Sequence, residues 1–161
     1  MNRIGRKELI IILLICGVII LFSIPFSIPY LQTLQATPER IEINGTNYTL
    51  ETYLCRDFFP PSQPHGSPLW ALVKVKAPGE TAISSKIDAT RLWVVKGTKI
   101  WETELASWEG STKRDTLEKV GGGGPKWEPG ISVDVVVRII ALKSGRSYLL
   151  KASNQYIHRT S

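Results

Sequence analysis

Residues 9–22 (LIIILLICGVIILF) form an uncharged apolar run, and from residue 40 onward apolar and polar positions alternate in short segments with a period of two. The first pattern has the form of a membrane segment, the second that of half-buried strands. A helix over the fourteen-residue run would be about 21 Å long, short of a ~30 Å hydrocarbon layer. Extended to residue 31 it reaches about 34 Å, enough to span with tilt, and spanning helices tolerate prolines such as Pro25 and Pro29. Arg3, Arg6 and Lys7 precede the run and predict a cytoplasmic N-terminus over residues 1–8. The expectation is a signal-anchor helix over 9–31 with the lipid bilayer as partner, a linker over 32–38 and an exported domain over 39–161. The protein would then be single-pass in the cell membrane, with its C-terminal domain outside. Two alternatives remain open. Cleavage after Ala36 would secrete the domain, although Leu34 is bulky for a peptidase site, and lipidation at Cys16 would require Ile15 in a position that prefers a small residue.

The exported part reads as strands and turns. Residues 40–43 and 47–55 flank the tight-turn signal Asn44-Gly45-Thr46, and Tyr48, Leu50, Thr52 and Leu54 share one face of the second run. In residues 69–77, Leu69, Ala71, Val73, Val75 and Ala77 alternate with Trp70, Leu72, Lys74 and Lys76. Residues 90–95 and 99–105 flank Lys96-Gly97-Thr98, and 131–142 and 147–158 form the last hairpin. Residues 131–142 are apolar on both faces (Val133, Val135, Val137, Ile139; Val136, Ile140), which predicts a central strand. Residues 56–68, with four prolines, read as a loop, and 107–130 as a long irregular stretch with a helical turn at 116–120.

Seven to nine short strands without a sustained helix predict an all-β fold, an antiparallel two-sheet β-sandwich preceded by one N-terminal transmembrane helix. On strand count, the closing hairpin and the long loop before it, residues 39–158 resemble immunoglobulin-like or fibronectin-type modules of exported prokaryotic proteins. That resemblance implies a buried core tryptophan, for which Trp93 and Trp70 are both candidates. The cysteine pair of antibody-type domains is absent, since Cys55 is the lone cysteine after Cys16. Cys55 therefore reads as a small buried hydrophobe, and no disulfide is expected.

Charge changes the picture little. The whole chain carries +6, and removing Arg3, Arg6, Lys7 and Glu8 with the first 35 residues leaves +4. Basic residues are interspersed with acids, so no nucleic-acid partner is expected.

Candidate chemistry is sparse. His65 and His158 are the two imidazoles, and neither lies in a nucleophile motif. His65 with Asp57 and Cys55 matches no metal-ligand spacing, so no metal site is expected. The run GGGGPKW at 121–127 lacks the Ser or Thr and the following helix of a phosphate loop, and no cofactor is expected. Glu102 and Glu104 share a strand face without the signature of a catalytic cleft. The five tryptophans are the stronger lead: Trp108 and Trp127 flank the long irregular stretch, and with Lys126 they are the expected binding residues. Trp127 could instead cap the core. Asn44 and Asn47 match the glycan acceptor pattern. Two functions follow as expectations. One is a membrane-anchored, non-catalytic interaction or structural module for a protein or cell-envelope partner. The alternative is a carbohydrate- or peptidoglycan-directed binding module, with weak hydrolase chemistry at His65 and Asp57.

Overall fold

The computed structural model describes residues 27–59, 65–79, 82–108 and 114–160. Among them, α1 (Ser27–Gln35) is a nine-residue helix with Pro29 in its first turn, where the missing backbone N–H has no intrahelical partner to lose. It ends just ahead of Pro38. Nine strands follow: β1 (Arg40–Ile43), β2 (Thr46–Asp57), β3 (Leu69–Lys76), β4 (Ile87–Lys96), β5 (Lys99–Glu104), β6 (Ala106–Ser107), β7 (Thr116–Gly124), β8 (Ser132–Ala141) and β9 (Ser147–Thr160). A single 3-10 turn, Ile83–Ser85, leads into β4.

The strands form one nine-stranded sheet in the order β5-β4-β8-β9-β2-β3-β7-β6, with β1 added beside β2. All pairings are antiparallel except β2–β9, which runs parallel from Leu54↔Ile157 to Asp57↔Thr160. Interruptions of register between Ala89 and Arg91, Val133 and Val135, and Leu69 and Ala71 bend the sheet. It curls until β5 lies against β7, giving a nearly closed barrel.

The period of two decides which residues point inward. Tyr48, Leu50 and Leu54 from β2, Val73 and Val75 from β3, Leu92 and Val94 from β4, Val135, Val137 and Ile139 from β8, and Leu150 and Ile157 from β9 join a single core. As expected, β8 is central, between β4 and β9. Its outward Val136 is buried, and so is Trp93, its partner in β4.

The glycine run explains how the seam closes. Residues 116–124 form a strand, not the expected loop with a helical turn. A Cβ on Gly121 would stand 2.7 Å from Thr103 Cγ2, and one on Gly124 would stand 2.8 Å from the Trp101 ring. Glycine lets β5 and β7 approach, and Gly123 (φ +78°) takes the backbone bend between them. Beside this contact Lys119 Nζ pairs with Asp88 Oδ1 at 2.7 Å and donates to Ser107 Oγ.

Three expectations are corrected. The two-sheet sandwich, and with it the resemblance to immunoglobulin-like and fibronectin-type modules, gives way to one curled sheet around one core. Of the expected core tryptophans, Trp93 is buried but outside the central cluster and Trp70 is half-buried; the tryptophan in that cluster is Trp101. The membrane-spanning signal-anchor helix finds no support. Residues 9–26 of that segment lie outside the described residues, and the rest falls in α1, which has nine residues. No helix among the described residues is long and apolar enough to cross a membrane. The bilayer partner, the single-pass localisation and the membrane-anchored role were expected from that helix, and no described helix supplies the span they need.

Candidate functional site

The two ends of the barrel differ. One is closed by an arginine. In β2 the inward series Tyr48, Leu50, Thr52, Leu54 continues to Arg56, which is buried at 2% exposure. Its guanidinium donates to four backbone carbonyls: Nε to Ser67 O (2.9 Å), Nη1 to Lys126 O (3.2 Å) and Trp127 O (3.0 Å), and Nη2 to His65 O. A buried charge is tolerated where it is well hydrogen-bonded, and here two loops supply acceptors for four of the five guanidinium N–H groups. The guanidinium carbons of Arg56 (5.0 Å) and Arg159 (4.0 Å) both lie over the Phe58 ring. Gly66 gives that ring room, since a Cβ there would come within 2.7 Å of it. Trp127 packs against the core at this end, with Lys96 Nζ 5.7 Å from its ring centre.

The opposite end holds a cavity of about 630 Å³. Three segments converge on it: the β1–β2 hairpin with Ile43, Asn44, Thr46 and Tyr48, the turn into β4 with Ser85, Lys86 and Ile87, and the β8–β9 turn with Lys143 and Ser144. Ile43, Tyr48 and Ile87 are buried and make its apolar floor, while Asn44, Ser85, Lys86, Lys143 and Ser144 are exposed around it. Two of the walls are joined, because Leu142 N–H donates to Lys86 O at 3.0 Å. Ser85 Oγ donates to Ala82 O (2.7 Å) and Ser144 Oγ accepts from Arg146 N–H (3.3 Å), so both hydroxyls are oriented by their own turns. Asn44 (φ +52°) and Gly45 (φ +78°) form the hairpin turn, where the left-handed region suits both residue types. Mouths of β-barrels are common ligand sites, and ligand pockets run to about 300–1,000 Å³.

The expected binding residues are not brought together. Trp108 is exposed (44%) and its N–H donates to Glu118 O, whereas Trp127 follows the end of β7 at Gly124. Six residues of strand, about 20 Å, separate those two points, so the indoles form no shared platform. Lys126 contributes its carbonyl to Arg56. Asn44 and Asn47 are both exposed, and Asn44 also lines the cavity. Asp57 is tied to the loop that follows His65, since Ser67 N–H donates to Asp57 O at 2.7 Å. The Asp57 carboxylate is engaged elsewhere, accepting from Phe59 N–H (2.9 Å) and Thr160 Oγ1 (3.1 Å). Among the described residues no cluster of His, Cys, Asp and Glu could hold a metal ion.

An aromatic row crosses the outside of the barrel. Tyr53 stacks on His158 (4.9 Å, 15°) and meets Trp70 edge-on (5.9 Å, 63°). Tyr53 and His158 spend ring faces on each other, which leaves less of the row for a flat ligand. Beneath it Cys55, partner of Trp70 and His158, is buried. Desolvation, and then the nearby Asp57 charge, push its thiol pKa above the ordinary value.

Comparison of the chain with protein-family models, curated proteins and solved structures finds no match. The cavity was not legible as a site because its residues come from three turns. The signal for Arg56 was present, since it continues the inward phase of Tyr48, Leu50, Thr52 and Leu54.

Proposed function

We propose that the barrel is a binding module that takes a carbohydrate in the cavity at its open end. The observation that carries this reading is the composition of the cavity wall: amide and hydroxyl groups of Asn44, Thr46, Ser85 and Ser144 surround a floor of Ile43, Tyr48 and Ile87. A sugar presents the matching surface, with hydroxyls that need hydrogen-bond partners and C–H faces that pack on apolar side chains. The role is binding without turnover. Glycosidic hydrolysis uses two carboxyl groups about 5–9.5 Å apart, and the described lining residues include neither Asp nor Glu.

Calorimetric titration of the full chain with a panel of oligosaccharides and peptidoglycan fragments tests the reading. Asn44→Gly removes an amide from the cavity and keeps a residue that accepts the turn conformation. It is expected to weaken binding about three- to tenfold, the size of one net hydrogen bond, without lowering the melting temperature. Absence of binding to every saccharide would overturn the proposal, as would an unchanged affinity in this variant.

A further inference from the structure

We infer that the cavity takes the end of a glycan chain, one or two sugar residues, and not a stretch of the chain's interior. This rests on the carbohydrate reading above and deepens it. The cavity is blind. Its floor residues Ile43, Tyr48 and Ile87 belong to the same core as Leu54, Leu69 and Ile157 near the other end, so side chains fill the barrel between the two ends. The far end is closed in turn where Arg56 holds two loops together. A ligand that enters at the open end therefore stops on the floor. The volume of about 630 Å³ is that of a site enclosing one small molecule, a size that a mono- or disaccharide matches.

The walls are as fixed as the floor. The hairpin wall is a tight turn closed by the Ile43↔Thr46 pair. In the turn into β4, Lys86 N–H donates to Ile83 O at 2.9 Å. In the β8–β9 turn, Gly145 N–H donates to Ala141 O at 2.8 Å and Ala141 N–H to Arg146 O at 2.9 Å. The last two turns are joined through Leu142 and Lys86, so they form one continuous side. An interior stretch of glycan orders several rings at once and needs a matching length of surface to offset that cost. The rim does not provide it. Its exposed lining residues are Asn44, Ser85, Lys86, Lys143 and Ser144, none with a ring. The one aromatic residue among the described lining, Tyr48, is 1% exposed and closes the floor. The exposed rings of Tyr53, Phe59, Trp108 and Tyr156 all lie outside the lining. Contact therefore ends where the cavity ends.

Calorimetric titration of the full chain with oligosaccharides of chitin, cellulose and amylose, each from one to six residues long, decides the matter. In a series that binds, affinity is expected to rise up to the disaccharide and then to change by less than about twofold, because further rings stand in solvent and bring no contact to offset their ordering. Asn44→Gly should weaken the disaccharide and the hexasaccharide by the same factor. Cyclohexaamylose, which has no chain end, should not bind where maltohexaose does. An affinity still climbing about tenfold from the disaccharide to the tetrasaccharide would overturn this inference and leave the carbohydrate reading intact. So would a smaller loss for the hexasaccharide in the variant, or cyclohexaamylose bound as tightly as maltohexaose. Absence of binding in all three series would overturn it as well, and the carbohydrate reading with it if the peptidoglycan fragments are also silent.

Discussion

Arg56 shows how one residue can join segments far apart in sequence. Its guanidinium fastens the loop through His65 and Ser67 to the loop through Lys126 and Trp127. Arg56→Met would leave these carbonyls without their donors in a buried site and is expected to cost about 3–5 kcal/mol, read from urea unfolding. Arg56→Lys should recover only part of that, because three donors on a point charge cannot reproduce the guanidinium fork. A loss under about 1 kcal/mol in the Met variant would contradict this role. Cys55 makes a second prediction at this scale. Burial raises its folded pKa above the ordinary thiol value of 9.0, so the unfolded chain gives up the thiol proton first as pH rises. Its contribution to stability is intact below pH 9.0 and is lost as pH rises through the folded value. Cys55→Ala should therefore flatten the alkaline side of the stability profile, and in the native protein the thiol should react with iodoacetamide far more slowly than in urea. Cys55 was legible as a small buried hydrophobe. Arg56 continues the inward phase of Tyr48 to Leu54, but the proline-rich composition of 56–68 assigned it to a loop and hid that signal.

At the scale of elements, alternation located most strands to within a few residues, since a half-buried strand must alternate. It failed at β7, where the run Gly121-Gly122-Gly123-Gly124 has no side chains to alternate. Glycine there marks an approach by another strand, which single-strand patterning does not register. The glycines differ among themselves, and that difference is testable. Gly124→Ala would press a methyl group against Trp101 and is expected to cost about 1–3 kcal/mol with a change in near-ultraviolet circular dichroism. Gly122→Ala meets nothing within 4 Å and should be close to neutral in thermal unfolding. Equal effects at both positions would mean that β5 does not lie where the seam places it. Alternation also leaves strand pairing undetermined. A sandwich and a barrel share inward and outward residues, and the parallel β2–β9 pairing that unites the sheet joins residues about a hundred positions apart.

At the largest scale the nine strands make a barrel with unequal ends, one closed by Arg56, Phe58 and Trp127, the other open between three turns. That inequality gives the functional reading its place. The closed end gathers Lys126 and Trp127, which sequence alone marked as binding residues, and uses them in part to complete the fold. The open end gathers residues that the sequence marks for other roles or not at all, Asn44 as a turn and glycan-acceptor residue among them, and they face a common space only once β1, β4 and β8 are in register. A ¹⁵N-resolved amide titration of the full chain with the tightest-binding oligosaccharide of the panel tests this account most directly, because it reports where the ligand sits as well as whether it binds. Shifts should concentrate at residues 43–48, 85–87 and 143–144. Shifts confined to the outer face around Tyr53, Trp70, Tyr156 and His158, or to Trp108, would contradict the account.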